Sequence, residues 1–502
     1  MDPRNGRILT AVGAANTAAA IGTPIPNTGD PVNGIRRAGD GIAKTGYVWP
    51  KLVVAPRFGA AYDLTGTQQI VLRGGGGLFY DRPDGNTVFS IPGNPPIATA
   101  QDLRNGQLQT LGTGLSTVAV PPLVVFQYDA KVPAQWQWQV GVQMALPWSS
   151  AVDVSYVGNH GFNRLGNYQG GSTVNLNAVD IGAAYLPQNQ DPTLGTSAVP
   201  GATAYTTNLL RPYKGLGNIN QHTTEFWDTY HSIQTSFNRR YRNGLAFGIN
   251  YTYSISYKGN LYLQKRLQHA PDGTISVRAD QKDYEKLMEN LGRRPHIIKA
   301  NGVWDLPNVH SRFGKAVGYV LNDWQISGVL TAGSGPSYDL GYSFRNNGAS
   351  VNMTGSPDYG ARIVYVGDPG SGCSGNQFLQ FNPAAVTAPR YGSVGLESGR
   401  NLLRGCADRT VDLAVLRSIR LGGSRRVQFR LDAFNVFNTV VISGRSTSVQ
   451  YNSPTDLTIL NSQTLPDGSI DPARMTPRTA GFGAATGALP MRSLQFQVRF
   501  QF

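Results

Sequence analysis

The sequence has few of the residues from which metal sites and reactive centres are built. It contains two cysteines and six histidines in 502 residues. The histidines form no i, i+4 pair, and neither cysteine stands at a zinc-ligand spacing. Carboxylate pairs such as Asp81 with Asp84 lie in segments without the apolar surroundings that acid–base catalysis needs. We therefore expect no metal site, no cofactor and no enzymatic activity.

Long apolar runs are also missing. A membrane-spanning helix needs about 18 or more consecutive apolar residues, and every apolar run of this sequence is far shorter. The small-residue segment 8–22 follows Arg4 and Arg7 as in a secretory signal, but Asn16 interrupts it. We expect neither a helical membrane protein nor a signal peptide, and we interpret residues 1–52 as the remnant of an outer loop.

Charged residues are scarce and scattered. They make up 15% of the chain, with 44 Lys and Arg against 30 Asp and Glu, which gives a formal net charge of +14. The basic residues stand as singles or pairs, such as Arg239 with Arg240 and Arg425 with Arg426, without an interleaved recognition motif. We therefore expect no nucleic-acid partner.

Strict alternation of apolar and polar residues is what the sequence does contain. Every second residue from Trp136 to Leu146 is apolar, whereas the residues between them are glutamine, glycine or alanine. Segments 245–255 and 493–502 repeat this pattern. A period of two predicts β-strands, and strands of about ten residues exceed the usual five or six of soluble sheets.

Weaker alternation completes a set of about eleven predicted strands. The other eight span 53–63, 69–80, 151–157, 229–241, 296–306, 322–333, 409–419 and 425–437. Tight connections at 64–68, 147–150, 242–243 and 420–424 alternate with long ones at 81–134, 158–228, 257–295, 334–408 and 439–492. Outer-membrane barrels have this asymmetry, because their periplasmic turns are short and their outer loops are long.

The pattern predicts an all-β protein, a transmembrane antiparallel β-barrel. In hydrocarbon every backbone N–H and C=O group must be paired, so such a sheet must close on itself. Bacterial single-chain barrels have an even number of strands, and an odd count therefore predicts a sheet that begins within a barrel. We interpret residues 53–502 as its carboxy-terminal portion, with outer-membrane lipid against the apolar face and water or a plug against the polar face.

Several segments resemble those of TonB-dependent transporters of the Oar-like kind. They are APRFGAAYDLTG, VLRGGGGLFYDR, WQVGVQMALPWSSAVDVSYVGNHG, RRPHIIKANGVWDLP, NDWQISGVLTAGSGPSY, GRNLLRG, VDLAVLRSIRL and FRLDAFNVFN. The resemblance implies the carboxy-terminal half of a barrel of roughly 22 strands. It also implies energised uptake of a scarce extracellular ligand, with TonB acting through a plug and an amino-terminal box, neither of which we expect within this chain.

The end of the chain resembles the outer-membrane sorting signal. Phe496, Val498, Phe500 and Phe502 alternate with polar residues, a pattern that the barrel-assembly machinery reads by strand addition. An ordinary last strand has the same pattern, and both interpretations can hold together.

The cysteines and two glycine-rich segments carry further expectations. Cys373 and Cys406 fall in one long connection on the predicted cell exterior, which favours a loop disulfide over two unpaired thiols. Gly370 to Gly375 matches the dinucleotide fingerprint, but without a preceding strand or a following helix we interpret it as a loop. The run 74–77 lies within a strand, where glycine permits a bend or a close approach of plug backbone.

The sequence is compatible with other functions. The chain could be a surface or adhesin-like barrel that does not transport, or a degenerate fragment. A soluble carbohydrate-binding protein would need a second sheet to cover the three aromatic strand faces. Siderophore, oligosaccharide and peptide are all compatible with the composition of the long connections.

Overall fold

The structure is a computed structural model. It describes residues 38–48, 50, 52–82, 89, 91–95, 101–102, 117–118, 120, 122–166, 174–261, 263–309, 314–345, 353–423 and 425–502. Most of the expected loop remnant over 1–52 lies outside these residues. No helix in the described ranges is both long and apolar enough to cross a membrane.

One antiparallel sheet of eleven strands dominates the fold. The strands are β1 Arg57–Asp63, β2 Ile70–Tyr80, β3 Ala134–Leu146, β4 Ser150–Arg164, β5 Phe226–Arg242, β6 Leu245–Gly259, β7 His296–Asp305, β8 Trp324–Gly333, β9 Asp408–Gly422, β10 Arg425–Phe434 and β11 Ser493–Gln501. Each strand pairs with the next one along the chain, and among the described residues β1 and β11 each have a single neighbour. The sheet is therefore a meander with two lateral edges.

The two faces of the sheet differ in chemistry from edge to edge. The register aligns Met144 on β3 with Val152 on β4, Phe237 on β5 and Ile249 on β6, and the same face continues to Phe496 on β11. Val140 is 50% exposed, and Phe496 is 65% exposed. We call this the apolar face. Sheets of soluble proteins bury such apolar side chains. Their exposure here is typical of a surface that faces lipid.

The indole rings fall near the ends of strands on the apolar face. Trp136 lies near the start of β3 and Trp304 near the end of β7, and these positions are at opposite margins of the sheet. Both side chains are well exposed. Trp324 begins β8, and its indole Nε1 donates to the carbonyl of Val320 at 2.8 Å. Tryptophans at both margins are typical of the two interfacial levels of a membrane.

Short and long connections alternate around the sheet. Residues 64–69, 147–149, 243–244, 306–323 and 423–424 join strands at one margin, and residues 81–133, 165–225, 260–295, 334–407 and 435–492 join them at the other. The connection 306–323 carries the helix Gly314–Leu321. The predicted alternation is thus present, although one member of the short set includes a helix.

The long connections fold together into what we call the loop cap. Its remaining strands are Gln101–Asp102, Thr117–Val118, Leu123–Phe126, Val174–Asn175, Ile219–His222, Leu267–His269, Ile275–Val277, Ser337–Tyr338, Gly341–Phe344, Val364–Tyr365, Val386–Thr387, Leu403–Arg404, Ile442–Arg445, Ser448–Ser453, Asp456–Ile459 and Ala485–Ala488. Its helices are Thr207–Leu210 and Gln281–Met288, with 3-10 turns at Ile91–Gly93, Ala183–Tyr185, Pro187–Asn189, Pro383–Ala385 and Pro472–Arg474. Phe344, Met353, Phe381, Tyr451 and Phe482 belong to its largest buried cluster. The cap therefore has a hydrophobic core of its own.

Several strand ends differ from the sequence prediction by three residues or more: β1 begins at Arg57 instead of 53, β5 begins at Phe226 instead of 229, β6 ends at Gly259 instead of 255, and β9 ends at Gly422 instead of 419. β4 continues beyond Val157 to Arg164, because its last residues still pair with β3 and β5. β10 stops at Phe434 instead of 437, because Asn435 adopts a left-handed backbone with φ 48°. The amide of Asn435 also closes a turn, as its Nδ2 donates to the carbonyl of Thr439 at 2.9 Å.

The glycine run of β2 permits a close approach by β1. A Cβ atom at Gly76 would lie 3.1 Å from the ring of Phe58, and one at Gly77 would lie 2.9 Å from Arg57 Cγ. Side chains at these positions would push β1 away. The run thus serves packing between neighbouring strands.

Candidate functional site

Polar side chains line the face opposite the apolar one, which we call the polar face. Gln139, Asp153, Gln234, Asn301 and Gln497 lie on it by the strand register. Such a face must contact water or a polar partner, because an unpaired polar group in hydrocarbon costs several kcal/mol, on the order of 2–7. The polar face is the first candidate surface for a ligand.

Two grooves run along the polar face near β1. One has a volume of about 980 Å³, and its lining includes Arg57, Arg73, Gln137, Asn159 and Tyr230. The other, of about 1040 Å³, lies toward the short connections, and its lining includes Asp63, Gln143, Asn238 and Arg240. Amides and guanidinium groups can bind neutral or anionic polar groups by hydrogen bonds.

Neighbouring side chains on the polar face bind one another. The Arg430 guanidinium donates to both carboxylate oxygens of Asp432 at 2.7–2.9 Å. Gln325 Nε2 donates to Asp305 at 2.7 Å, and Ser155 Oγ donates to Asp153 at 2.6 Å. Arg430 with Asp432 and Ser155 with Asp153 share a face because they are two residues apart, whereas Gln325 and Asp305 are cross-strand partners in the register of β7 and β8.

A buried ion pair holds two connections of the loop cap together. Arg211 Nη1 lies 3.1 Å from Asp358 Oδ2, with side chains 8% and 10% exposed. The same carboxylate accepts from the backbone N–H of Val179 at 2.8 Å and from Asn175 Nδ2 at 3.3 Å. Asp358 thus joins connection 334–407 to connection 165–225 through three donors.

A second polar link joins connections 165–225 and 260–295. His269 Nδ1 lies 2.7 Å from Asp180 Oδ1, and His269 Nε2 lies 2.9 Å from the carbonyl oxygen of Leu176. Both ring nitrogens face oxygen acceptors. Each nitrogen can donate only when it carries a proton, so both hydrogen bonds form only when the imidazole is doubly protonated. Burial lowers the pKa of His269, but the hydrogen bonds to Asp180 and Leu176 outweigh it and raise the pKa above 6.5. A cavity of about 490 Å³ lies beside this pair and is also lined by Tyr213 and Arg278.

We expect the loop cap to loosen as pH rises above about 6.5, the ordinary pKa of histidine. The pKa of folded His269 is raised, so its contribution is fully present below about 6.5 and is lost as pH rises through the folded pKa. The dependence is at most about 1.4 kcal/mol per pH unit. Hydrogen exchange of residues 174–182, corrected for intrinsic rates, measures it. His269→Gln should abolish the dependence and Gln268→Ala should retain it; an equal dependence in both variants would contradict the assignment.

The structure joins the two cysteines of the chain. Cys373 and Cys406 are bonded as a disulfide within connection 334–407. Tyr338 lies beside it, and its hydroxyl donates to the carbonyl of Gly372 at 2.7 Å. Burial raises the pKa of Tyr338 to about 12, against the opposing effect of Arg445. The phenol therefore stays protonated and serves as a donor.

The terminal residues lie on the apolar face of the edge strand β11. Phe496, Val498, Phe500 and Phe502 are all more than half exposed. β11 pairs with β10 alone among the described residues. The four side chains therefore lie on an edge strand of the described sheet, the position that strand addition requires.

Asp358, Asp180 and His269 were not predicted from the sequence as a group. These residues come from three separate connections and share no spacing that a periodic pattern would reveal. Within the described ranges, no group of three or more His, Cys, Asp or Glu side chains is arranged to hold a metal ion. The polar links of the cap join connections that are far apart in the sequence.

Several solved outer-membrane structures overlap with this chain at low similarity. The transporter YddB from Escherichia coli has 11% identity and a TM-score of 0.38, covering 81% of this chain and 38% of its own. The ferric enterobactin receptor PfeA from Pseudomonas aeruginosa has 11% identity and a TM-score of 0.36, with coverage of 88% and 39%. The siderophore receptor PirA from Acinetobacter baumannii has 11% identity and a TM-score of 0.37, with coverage of 78% and 38%. The chain thus spans about two fifths of the length of these proteins.

The family assignment rests on sequence. A search of curated proteins found no match. Residues 9–495 match the profile of a single family over almost the whole chain, and the sheet with one lipid-facing side agrees with it. The chain belongs to the outer membrane beta barrel domain family and is a protein of the bacterial outer membrane.

Proposed function

We propose that this chain is the carboxy-terminal barrel portion of a TonB-dependent transporter for energised uptake of a scarce extracellular ligand. The observation that supports it most is a polar face eleven strands wide, with a folded loop cap at one margin. Barrels of about eight strands are filled by side chains, whereas those of about 22 enclose a lumen that needs a plug. A sheet this wide therefore suits a gated pore, and the Oar-like resemblance suits the same function.

The two lateral edges of the described sheet support the proposal that this chain is one portion of a larger barrel. A lipid-exposed edge leaves a row of N–H and C=O groups unpaired, so β1 and β11 need further strands as neighbours. We propose that residues 53–502 are the carboxy-terminal portion of a barrel of roughly 22 strands, and residues 1–52 an outer-loop segment. The plug and the TonB box would belong to the parent protein, and the barrel-assembly machinery would read Phe496 to Phe502.

The coding DNA upstream of Met1 tests the proposal. An in-frame extension that encodes a signal peptide, a plug and a TonB box would support it, and cross-linking of that box to TonB in cells would establish the partner. A stop codon and a ribosome-binding site directly before Met1 would contradict it.

A surface barrel that binds without transport is the second candidate. The hydrophobic core of the loop cap favours it, because a preformed cap can bind a partner at the cell surface without a moving plug. Surface binding that persists in a strain lacking TonB, without uptake, would identify this function.

Val140→Arg is expected to destabilise the protein by about 2–4 kcal/mol, because it places a charge on the lipid side near the middle of β3. The matched control is Gln139→Arg, which points to the polar face and should change stability far less. Urea titration of protein refolded in phospholipid vesicles, followed by tryptophan fluorescence, measures both. Equal losses would show that the two faces are not lipid and water sides.

A further inference from the structure

The helix Gly314–Leu321 exposes large apolar side chains at the margin of the sheet where the other connections are tight turns. Tyr319 is 66% exposed, Val320 59% and Leu321 50%. A helix that faces water presents polar residues on its exposed side, whereas adjacent exposed apolar side chains mark a contact with lipid or with protein. The helix therefore has a surface for which water is a poor solvent.

Trp324 joins the end of this helix to the apolar face. In the register, Trp324 lies directly opposite Arg417 on β9, and the same face continues to Phe429 on β10. The indole Nε1 of Trp324 donates to the carbonyl of Val320 at 2.8 Å. The exposed apolar surface of the helix thus continues the apolar face of the sheet at its margin.

Arg417 brings a positive charge to this apolar surface. Its guanidinium carbon lies 5.3 Å from the ring centroid of Trp324. Its Nε is buried and has no hydrogen-bond partner in the described part of the chain. Among the ion pairs of the described residues none includes Arg417, and the carboxylate of Asp323 lies 3.9 Å from Arg420 instead. A guanidinium group keeps its charge in proteins, so Arg417 is a cation without a counter-ion.

The position of Arg417 in the sheet corresponds to the level of lipid headgroups. Its partner Trp324 is the first residue of β8, so both lie near the margin of the apolar face. A charge on the lipid side is costly at the middle of a bilayer and is tolerated near the interface, where tryptophan rings also gather. The anion present at that level is the headgroup phosphate, and a planar guanidinium fork matches two of its oxygens.

We propose that Arg417, Trp324 and the helix Gly314–Leu321 form a binding site for one glycerophospholipid, in which Arg417 binds the headgroup phosphate and the helix lies in the bilayer interface. Short connections of outer-membrane barrels face the periplasm, so the lipid belongs to the periplasmic leaflet. A helix in the interface inserts its apolar side chains at the boundary of headgroups and acyl chains. The proposal rests on the lipid side of the sheet, which Val140→Arg tests, and it holds whether or not the chain belongs to a transporter.

Titration of the full chain in nonionic detergent micelles tests the phosphate contact. The probes are phosphatidylglycerol and a diacylglycerol with the same acyl chains, and native mass spectrometry counts the lipids retained by each chain. We expect the unaltered protein to retain one phosphatidylglycerol in preference to the diacylglycerol, a comparison that depends on no variant. Failure to retain phosphatidylglycerol, or equal retention of the two lipids, would overturn the proposal.

Two variants assign the phosphate contact to a residue. Arg417→Gln should weaken the binding of phosphatidylglycerol roughly ten- to hundredfold, because the charge-assisted bonds are lost. Arg420→Gln removes the same charge from the polar face of the same strand, where the side chain is 83% exposed, and should bind as the unaltered protein does. Equal affinity in the two variants would refute the role of Arg417.

A spin label on the helix tests its place in the interface and covers the case in which Arg417→Gln does not fold. Since Cys373 and Cys406 are bonded to each other, the label in Tyr319→Cys has a single free thiol to react with. In protein refolded in phospholipid vesicles, we expect this label to collide with oxygen, which dissolves in lipid, far more than with a nickel chelate, which stays in water. The control Thr67→Cys, on the exposed turn between β1 and β2, should collide with the chelate. Equal collision with the chelate at both positions would place the helix in water, and shielding of the Tyr319→Cys label from both reagents would assign the helix to a protein partner; either result would overturn the proposal.

Discussion

Asp358→Asn is expected to lower the stability of the loop cap by about 3–5 kcal/mol, because it leaves Arg211 charged and buried without its counter-ion. Both side chains are about nine-tenths buried, so water cannot replace the lost charge. Hydrogen exchange should accelerate in the segments that the carboxylate joins, 174–182 and 353–363. The eleven-stranded sheet should retain its protection, since it is held by its own ladder of hydrogen bonds.

Two variants show whether this loss is specific to the ion pair. Asp467→Asn alters an exposed carboxylate that only closes a turn with Ser469, so exchange in the cap should stay unchanged. Arg211→Met combined with Asp358→Leu removes both charges and should restore much of the stability lost in Asp358→Asn. Unchanged exchange in Asp358→Asn would mean that the pair contributes nothing to the cap.

Removal of the disulfide is expected to destabilise connection 334–407 by roughly 3–4 kcal/mol. Cys373 and Cys406 are separated by 33 residues, and a cross-link of that span removes much of the entropy of the unfolded connection. The variant Cys373→Ser with Cys406→Ser should expose residues 371–406 to protease, while β8 and β9 stay protected.

Thiol counting on unfolded, unreduced protein from cells decides whether the bond forms. We expect no free thiols before reduction and two afterwards. Two free thiols before reduction would contradict the disulfide, and the double serine variant would then behave as the unaltered protein does. Reduction of the unaltered protein without unfolding is the matched control for the substitution itself.

The strands follow from the sequence because their pattern is local. Alternation from Trp136 to Leu146 and from Leu494 to Phe502 places one face in lipid, and a slip by one residue would reverse every side chain. All eleven predicted strands occur in the structure, and their order along the chain is their order in the sheet. The end of β4 was missed because Gly158 and His160 interrupt the apolar pattern while the backbone ladder continues.

The strand pattern predicts neither how the barrel closes nor which ligand it binds. The sheet has two edges in the described residues, so the complete barrel stays a proposal. The Oar-like resemblance, the uptake function and the sorting role of Phe496, Val498, Phe500 and Phe502 likewise remain predictions. The family and the outer-membrane location stand on the match over residues 9–495.

The sequence by itself determined the strands, their two faces and the alternation of short and long connections, because a period of two acts on residues that are neighbours in the chain. Only the tertiary structure decided what the long connections do. The links Asp358 to Arg211, His269 to Asp180 and Arg445 to Tyr338 join residues that are far apart in the chain. Packing of the cap core brings these residues together. No local periodic pattern in the sequence predicts which connections are in contact.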